Sequence, residues 1–211
     1  LKATVERLNV FIVEEIRSAR RLIRQLGIMK PMEEIDFRML NEHTPQQDFS
    51  LLLEPLLNGH DVGLVSEAGV PCVADPGSQV VELAHDAGIK VEPLVGPSSI
   101  LLALMASGLN GQRFTFNGYL PIDTSERKKA IKSLEKLSKE KNQSQIFIET
   151  PYRNEKMFTD LKSTLTPTAK LCIACNITLP DEYIRTLEIK DWKSEHPDLH
   201  KKPTIFIIHK D

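Results

Sequence analysis

Cysteine is scarce: three residues in a chain of 211, too few for the disulfide framework of a small secreted domain. No apolar run approaches the roughly 18–20 residues that span a bilayer, and no secretory leader pattern is visible. These absences point to a cytoplasmic protein with no membrane partner. Neither sign of charge dominates, since 27 basic against 29 acidic residues leave a formal net charge of −2. That balance argues against a protein held to nucleic acid by charge alone and leaves room for a local basic face. The six His residues show no metal-ligand spacing, and His196 and His200 fall in a polar, Pro-containing loop. Cys172 and Cys175 make a lone C-x-x-C on an expected strand. Residues three apart on a strand face opposite sides, so both read as buried thiols and no metal is expected.

What the chain has instead is alternation. At 41% hydrophobic residues it can bury a core as one large domain or two small ones. Leu1 to Arg7 reads as the middle of a helix with no capping residue before it. An α/β domain begins with a central strand, so a preceding segment is expected. Asn9 to Glu14 reads as a strand. Glu15 to Leu26 reads as a helix, with Ile16, Ala19, Leu22, Ile23 and Leu26 at three- and four-residue steps before Gly27. Further strands are expected at 34–40, 61–66 and 90–95, and helices at 45–57, 76–87 and 98–107. Such alternation implies crossovers and a mostly parallel sheet.

The pattern changes near Gly108-Leu109-Asn110-Gly111, so domains are expected at 1–109 and 110–211. Beyond that hinge, strands are expected at 113–119, 144–149, 169–177, 182–189 and 204–209. Helices are expected at 124–138, capped by Thr124 or Ser125, and at 153–161. Little helical material joins the last three strands, which calls for antiparallel pairs. The expected fold is two α/β lobes with a cleft between them, the N-terminal sheet mostly parallel and the C-terminal sheet mixed.

Residues 64–99, LVSEAGVPCVADPGSQVVELAHDAGIKVEPLVGPSS, carry the functional signal. Two expected strands end in small-residue loops, Ser66 to Pro71 and Gly96 to Ser99, each followed by a helix. The carboxyl edge of an open α/β sheet is where a ligand lies against backbone. Small residues let main-chain groups reach that ligand. A helix beginning at Ser98 offers unsatisfied N–H groups that favour a carboxylate. Arg17, Arg20, Arg21 and Arg24 fall on one side of a helix beside the expected cleft. A phosphate-gripping face has that form, and so has an ordinary solvated helix. Arg127, Lys128, Lys129 and Lys132 interleave with Glu126 and Glu135 and read as surface.

Taken in order, LVSEAGVP (64–71), DPG (75–77), AGIKVEPLVGPSS (87–99), ALMASGL (103–109), RFTFNGYLP (113–121), IFIETPYR (146–153) and the late KKPTIFIIHK resemble a known family. It is the tetrapyrrole (corrin/porphyrin) methylase superfamily of S-adenosylmethionine-dependent methyltransferases. Within it, the likeness is to the subgroup that methylates the ribose 2′-oxygen of a cytidine in small-subunit ribosomal RNA. The resemblance implies a homodimer of two-domain chains, with S-adenosyl-L-methionine bent into the cleft. By position, it places Glu67, Ala68, Gly69 and Val70 along the methionine part, with Ser98 and Ser99 approaching from the neighbouring loop. Glu149, Thr150, Ala174, Pro203 and Thr204 fall near the adenine. Arg17, Arg20 and Arg24 are the candidate RNA contacts.

Two departures keep other readings open. The family's first strand and its Gly/Pro-rich loop are not in this sequence. Ala174-Cys175-Asn176 stands where the subgroup has an Arg-Glu pair, and Glu14-Glu15-Ile16-Arg17 keeps only the ends of an acid-Asp-Thr-Arg run. A small tetrapyrrole-like acceptor and a catalytically silent S-adenosylmethionine-binding relative are the alternatives. The sulfonium donor carries its own activation, so the protein's task is alignment, worth about 7–11 kcal/mol of barrier. A hydroxyl acceptor must also lose a proton, for which Glu15, Glu67 and Glu149 are the candidates.

Overall fold

Strands that are apolar on both faces must be covered on both faces by helices. The computed structural model, which describes every residue except Glu42, Gln46 and Gln47, shows that arrangement in the first half. Strands β1 (Val10–Val13), β2 (Asp36–Met39) and β3 (Val62–Val65) form a parallel sheet in the order β2-β1-β3. Phe11 and Val13 join one buried cluster with Val5 of α1 (Lys2–Arg7) and Ala19 and Ile23 of α2 (Ile16–Gln25). Ile12 belongs to a second cluster, with Phe49 and Leu52 of α3 (Phe49–Leu57) and Val80 of α4 (Ser78–Asp86). The helix expected from residue 45 thus begins at Phe49, and Gln46 and Gln47 of that expectation lie outside the described residues.

The strand expected at 90–95 is not formed. β3 is an edge strand, and among the described residues no strand pairs with its outer side. Without a ladder partner the segment cannot satisfy its backbone as a strand, and Val91, Leu94 and Val95 stay exposed.

The chain divides into two compact units, Leu1–Pro97 and Ser98–Asp211. Helix α5 (Ser99–Ser107) groups with the second, because Ala103 and Leu104 pack with Ile146, Cys172, Ala174 and Ile205. Thr186 Oγ1 also donates to the Ser107 carbonyl at 2.7 Å. Packing draws that line, whereas the sequence line at 109/110 follows the change of pattern and the glycines.

The second sheet comprises β4 (Phe114–Tyr119), β5 (Ser144–Ile148), β6 (Lys170–Cys175), β7 (Tyr183–Glu188) and β8 (Thr204–His209). Its order is β4-β5-β8-β6-β7, with β4 and β5 parallel and the other pairs antiparallel. α5 covers one face. The other carries α6 (Thr124–Lys141) and α7 (Asn154–Thr164), through Ile131, Met157 and Leu161. Trp192 completes that core, donating from Nε1 to the Leu171 carbonyl at 3.1 Å and meeting Phe158 edge-on at 5.4 Å. Cys172 and Cys175 are both buried, in the clusters on opposite faces of β6.

Two expectations for α6 need correction. Its cap is Asp123, whose carboxylate accepts from Ser125 N and Glu126 N, rather than Thr124 or Ser125. Arg127, read as surface, is 2% exposed. It sits four residues before Ile131 on the buried stripe of α6, so the helical repeat carries it inward. There Nη2 lies 2.5 Å from Asp160 Oδ2, Nε donates to the same oxygen, and Nη1 donates to the Pro121 and Ile122 carbonyls. Asp160→Ala should strand a buried cation and lower unfolding stability in urea by about 3–5 kcal/mol. Pairing Arg127→Met with Asp160→Leu should recover most of that loss.

Candidate functional site

In the first unit, Val13 is in register with Met39 and Val65, so the residues that follow all three strands share one carboxyl edge. Glu67 N donates to Glu14 Oε2 at 3.2 Å, and Ser18 Oγ to Glu67 Oε1 at 3.0 Å. Gly69 has φ +80°, and among the described residues no atom lies within 4 Å of an added Cβ. Glu67, Ala68 and Gly69 are exposed and Val70 half-buried, which leaves their main chain open to a ligand. An ideal Cβ on Gly96 would lie 3.0 Å from Val70 Cγ1. Gly96 therefore meets the first small-residue loop, although it is not preceded by a strand.

Of the candidate proton acceptors, Glu15 is committed elsewhere. It is the N-cap of α2, and its two oxygens accept from Arg17 N at 2.9 Å and Ser18 N at 2.7 Å. Those bonds, Arg17's first, hold its carboxyl below the usual range, which makes it a poor base. Asp75, the first residue of the DPG run, is the acid that stands out. Burial, and then the charges of Glu14 and Glu67, push its pKa up. It borders a cavity of about 450 Å³ that Asn41, Thr44, Phe49, Ser78 and Gln79 also line. No single sequence motif marks this gathering, because it joins the segment after β2, the start of α3 and the run into α4. Arg17, Arg20, Arg21 and Arg24 are exposed on α2. Arg17 lies in its first turn, next to the edge, and the Arg20 guanidinium sits 5.5 Å from the Phe37 ring centroid.

In the second unit, β8 aligns the remaining candidates. Ile205 is paired with Ile148 on one side and Ala174 on the other, Thr204 with Cys175, and Asn176 N donates to the Pro203 carbonyl at 2.9 Å. Glu149, Thr150, Ala174, Pro203 and Thr204 therefore share one end of this sheet. Glu149 is buried, and its Oε1 accepts from Thr150 N at 2.6 Å and from Arg153 Nε and Nη2 at 3.0 and 2.6 Å. Among the described residues its Oε2 has no hydrogen-bond partner, and neither has Oδ1 of Asn154. The Asn154 amide nitrogen donates to the Lys202 carbonyl and Thr204 Oγ1. Surplus acceptors at this edge fit a ligand that brings donors, as an amino-substituted purine does. Ser98 is the N-cap of α5 but makes no side-chain capping bond, so the N–H groups of that first turn suit an anion.

A parallel α/β sheet followed by a mixed one is the two-sheet architecture of a class of solved methyltransferases. The solved methyltransferase CobJ has this fold, with TM-score 0.64 and 18% identity over 99% of this chain and 85% of that one. Cobalt precorrin-4 methyltransferase CbiF has it too, with TM-score 0.60 and 13% identity over 99% and 86%. The family described as Tetrapyrrole (Corrin/Porphyrin) Methylases matches residues 3–192, and the chain belongs to it. Ribosomal RNA small subunit methyltransferase I of Pasteurella multocida (strain Pm70) is 32% identical over 209 residues, 98% of this chain and 71% of that protein. The protein of the same name from Haemophilus influenzae is 30% identical over 208 residues, 97% and 70% respectively. The chain is an S-adenosylmethionine-dependent methyltransferase.

Asp75 gives a test of this edge. Its pKa in the folded chain exceeds the ordinary 3.8, so folding favours its protonated form. The ionised carboxylate costs stability only once pH rises through the window above that ordinary value. Asp75→Asn should raise Tm at neutral pH, and the gain should fade as melts are run at pH values falling toward 3.8.

Proposed function

We propose that this methyltransferase acts on a ribose 2′-hydroxyl of small-subunit ribosomal RNA, as a cytoplasmic homodimer. The observation that carries this reading is the likeness, over nearly the whole chain, to relatives named ribosomal RNA small subunit methyltransferase I. The exposed arginines of α2 support it, since Arg17, Arg20 and Arg24 offer a row of cations to phosphates beside the carboxyl edge.

S-adenosylmethionine supplies an activated methyl on a neutral leaving group. The main chain of Glu67, Ala68, Gly69 and Val70 would hold its amino acid part, and the first turn of α5, from Ser98 and Ser99, would suit its carboxylate. Thr150, Ala174, Pro203 and Thr204 receive the adenine, with Glu149 and Asn154 as acceptors for its donors. The acceptor hydroxyl gives its proton to a carboxylate of the first edge, Glu67 or Asp75. Asp75 is the better matched, because a raised pKa strengthens a base. Glu149 is left to positioning, since Arg153 occupies one of its oxygens.

A small tetrapyrrole-like acceptor is the second reading. A catalytically silent relative is the third, favoured by the uncharged strand end Ala174-Cys175-Asn176, where the resemblance implies an Arg-Glu pair. Tritiated methyl transfer separates these readings. Label should enter ribose of RNA in small ribosomal subunits; label confined to a tetrapyrrole acceptor would overturn the RNA reading, and binding without transfer would mark a silent relative. Gly69→Trp should abolish S-adenosylmethionine binding in calorimetric titration by filling the open turn. Undiminished affinity would show that the ligand lies elsewhere.

A further inference from the structure

We propose that Tyr152 and Lys201 form a stacking platform for a single-stranded nucleotide, at the sheet end that carries Thr150, Pro203 and Thr204. The proposal deepens the RNA reading and rests on it. Tyr152 lies in the single turn Pro151–Arg153 that follows β5, and it is 75% exposed. The residues around it are fixed. Arg153 is bound to Glu149, and the Pro151 carbonyl accepts from Lys201 N at 3.2 Å. A large ring held in the open by an anchored turn is a surface for a flat partner.

Lys201 supplies the charge. Its φ is +56°, a left-handed conformation uncommon for a residue with a side chain. The bond to Pro151 ties this bend to the turn of Tyr152, and Lys201 Nζ lies 5.7 Å from the ring centroid. The adjacent Lys202 is occupied by Asp198 at 3.0 Å and Asp181 at 3.5 Å. Lys201 has no carboxylate partner among the described residues. The nearby acids are thus matched by one lysine while the other keeps its charge for a phosphate. Exposed His200 adds a further polar group to the same loop. An exposed aromatic beside an uncommitted cation is the pairing by which proteins hold unpaired bases, with the ring taking the base and the cation its phosphate.

The test is anisotropy of a labelled, cytidine-containing single-stranded RNA titrated with the full chain, alongside calorimetry with S-adenosylmethionine. Tyr152→Ala should weaken RNA binding about tenfold, with cofactor affinity unchanged and Tyr152→Phe close to the original. Lys201→Ala should reduce the slope of log affinity against log salt by about 0.7. The platform is refuted by an original chain that does not bind the RNA, or by Tyr152→Ala binding as tightly as the original. A parallel loss of cofactor affinity, or Tyr152→Phe failing like Tyr152→Ala, refutes it as well. Methyl transfer run on the same variants separates this from the acceptor assignment. Labelled subunits with an unaltered KM in Tyr152→Ala would sink the platform alone. RNA held through Tyr152 but never labelled would sink the acceptor alone.

Discussion

The register of β8 is the constraint on which the second unit depends. This strand sits between β5 and β6, and its ladders to both bring the end of β5, the start of β8 and the end of β6 to one level. A slip of one residue would exchange the two faces of the strand. Polarity alone would not resist that slip, since Ile205, Phe206, Ile207 and Ile208 are all buried. Shape does. Phe206 stacks on Phe147 at 5.8 Å on the α6 and α7 side, while Ile205 and Ile207 share the α5 side with Ala103, Cys172 and Ala174. A slip would carry the Phe206 ring from its stack on Phe147 to the side of Ala103, Cys172 and Ala174, so packing favours Thr204 opposite Cys175.

The first unit concentrates charge of both signs around one edge. Glu14, Glu67 and Asp75 gather there, close enough that two of them disfavour ionisation of the third. The arginines of α2 stand on the helix that leaves the same edge. On the proposed reading, the acids face the reacting end of a sulfonium reagent and the arginines face a polyanion. A net charge of −2 conceals this division. Only the placement of residues reveals a surface fit for both.

Much of the fold was legible in the sequence where local pattern decides the outcome. The three- and four-residue steps of Ile16, Ala19 and Ile23 gave α2 nearly to its ends, and the short joins late in the chain gave the antiparallel pairs. The opposed Cys172 and Cys175 follow from strand alternation alone. What failed depends on partners. Residues 90–95 have strand composition, yet a strand exists only where a neighbour completes its ladder. Arg127 carries a surface residue's charge at a core residue's spacing, and Asp160 decides the outcome. The candidate site was legible as two small-residue loops. The raised pKa of Asp75 and the meeting of Tyr152 with Lys201 were not, because each joins segments distant along the chain.

The strand order also fixes a history. β5 and β6 leave the ribosome before β8, yet in the finished sheet they are separated by it. Until then the nascent sheet has a slot at its centre, bounded by two apolar strands with unmatched backbone. Such long-range insertion is slow, and open strand edges invite wrong partners meanwhile. The wait for that insertion, and not only the strength of native contacts, therefore bears on how this architecture avoids aggregation.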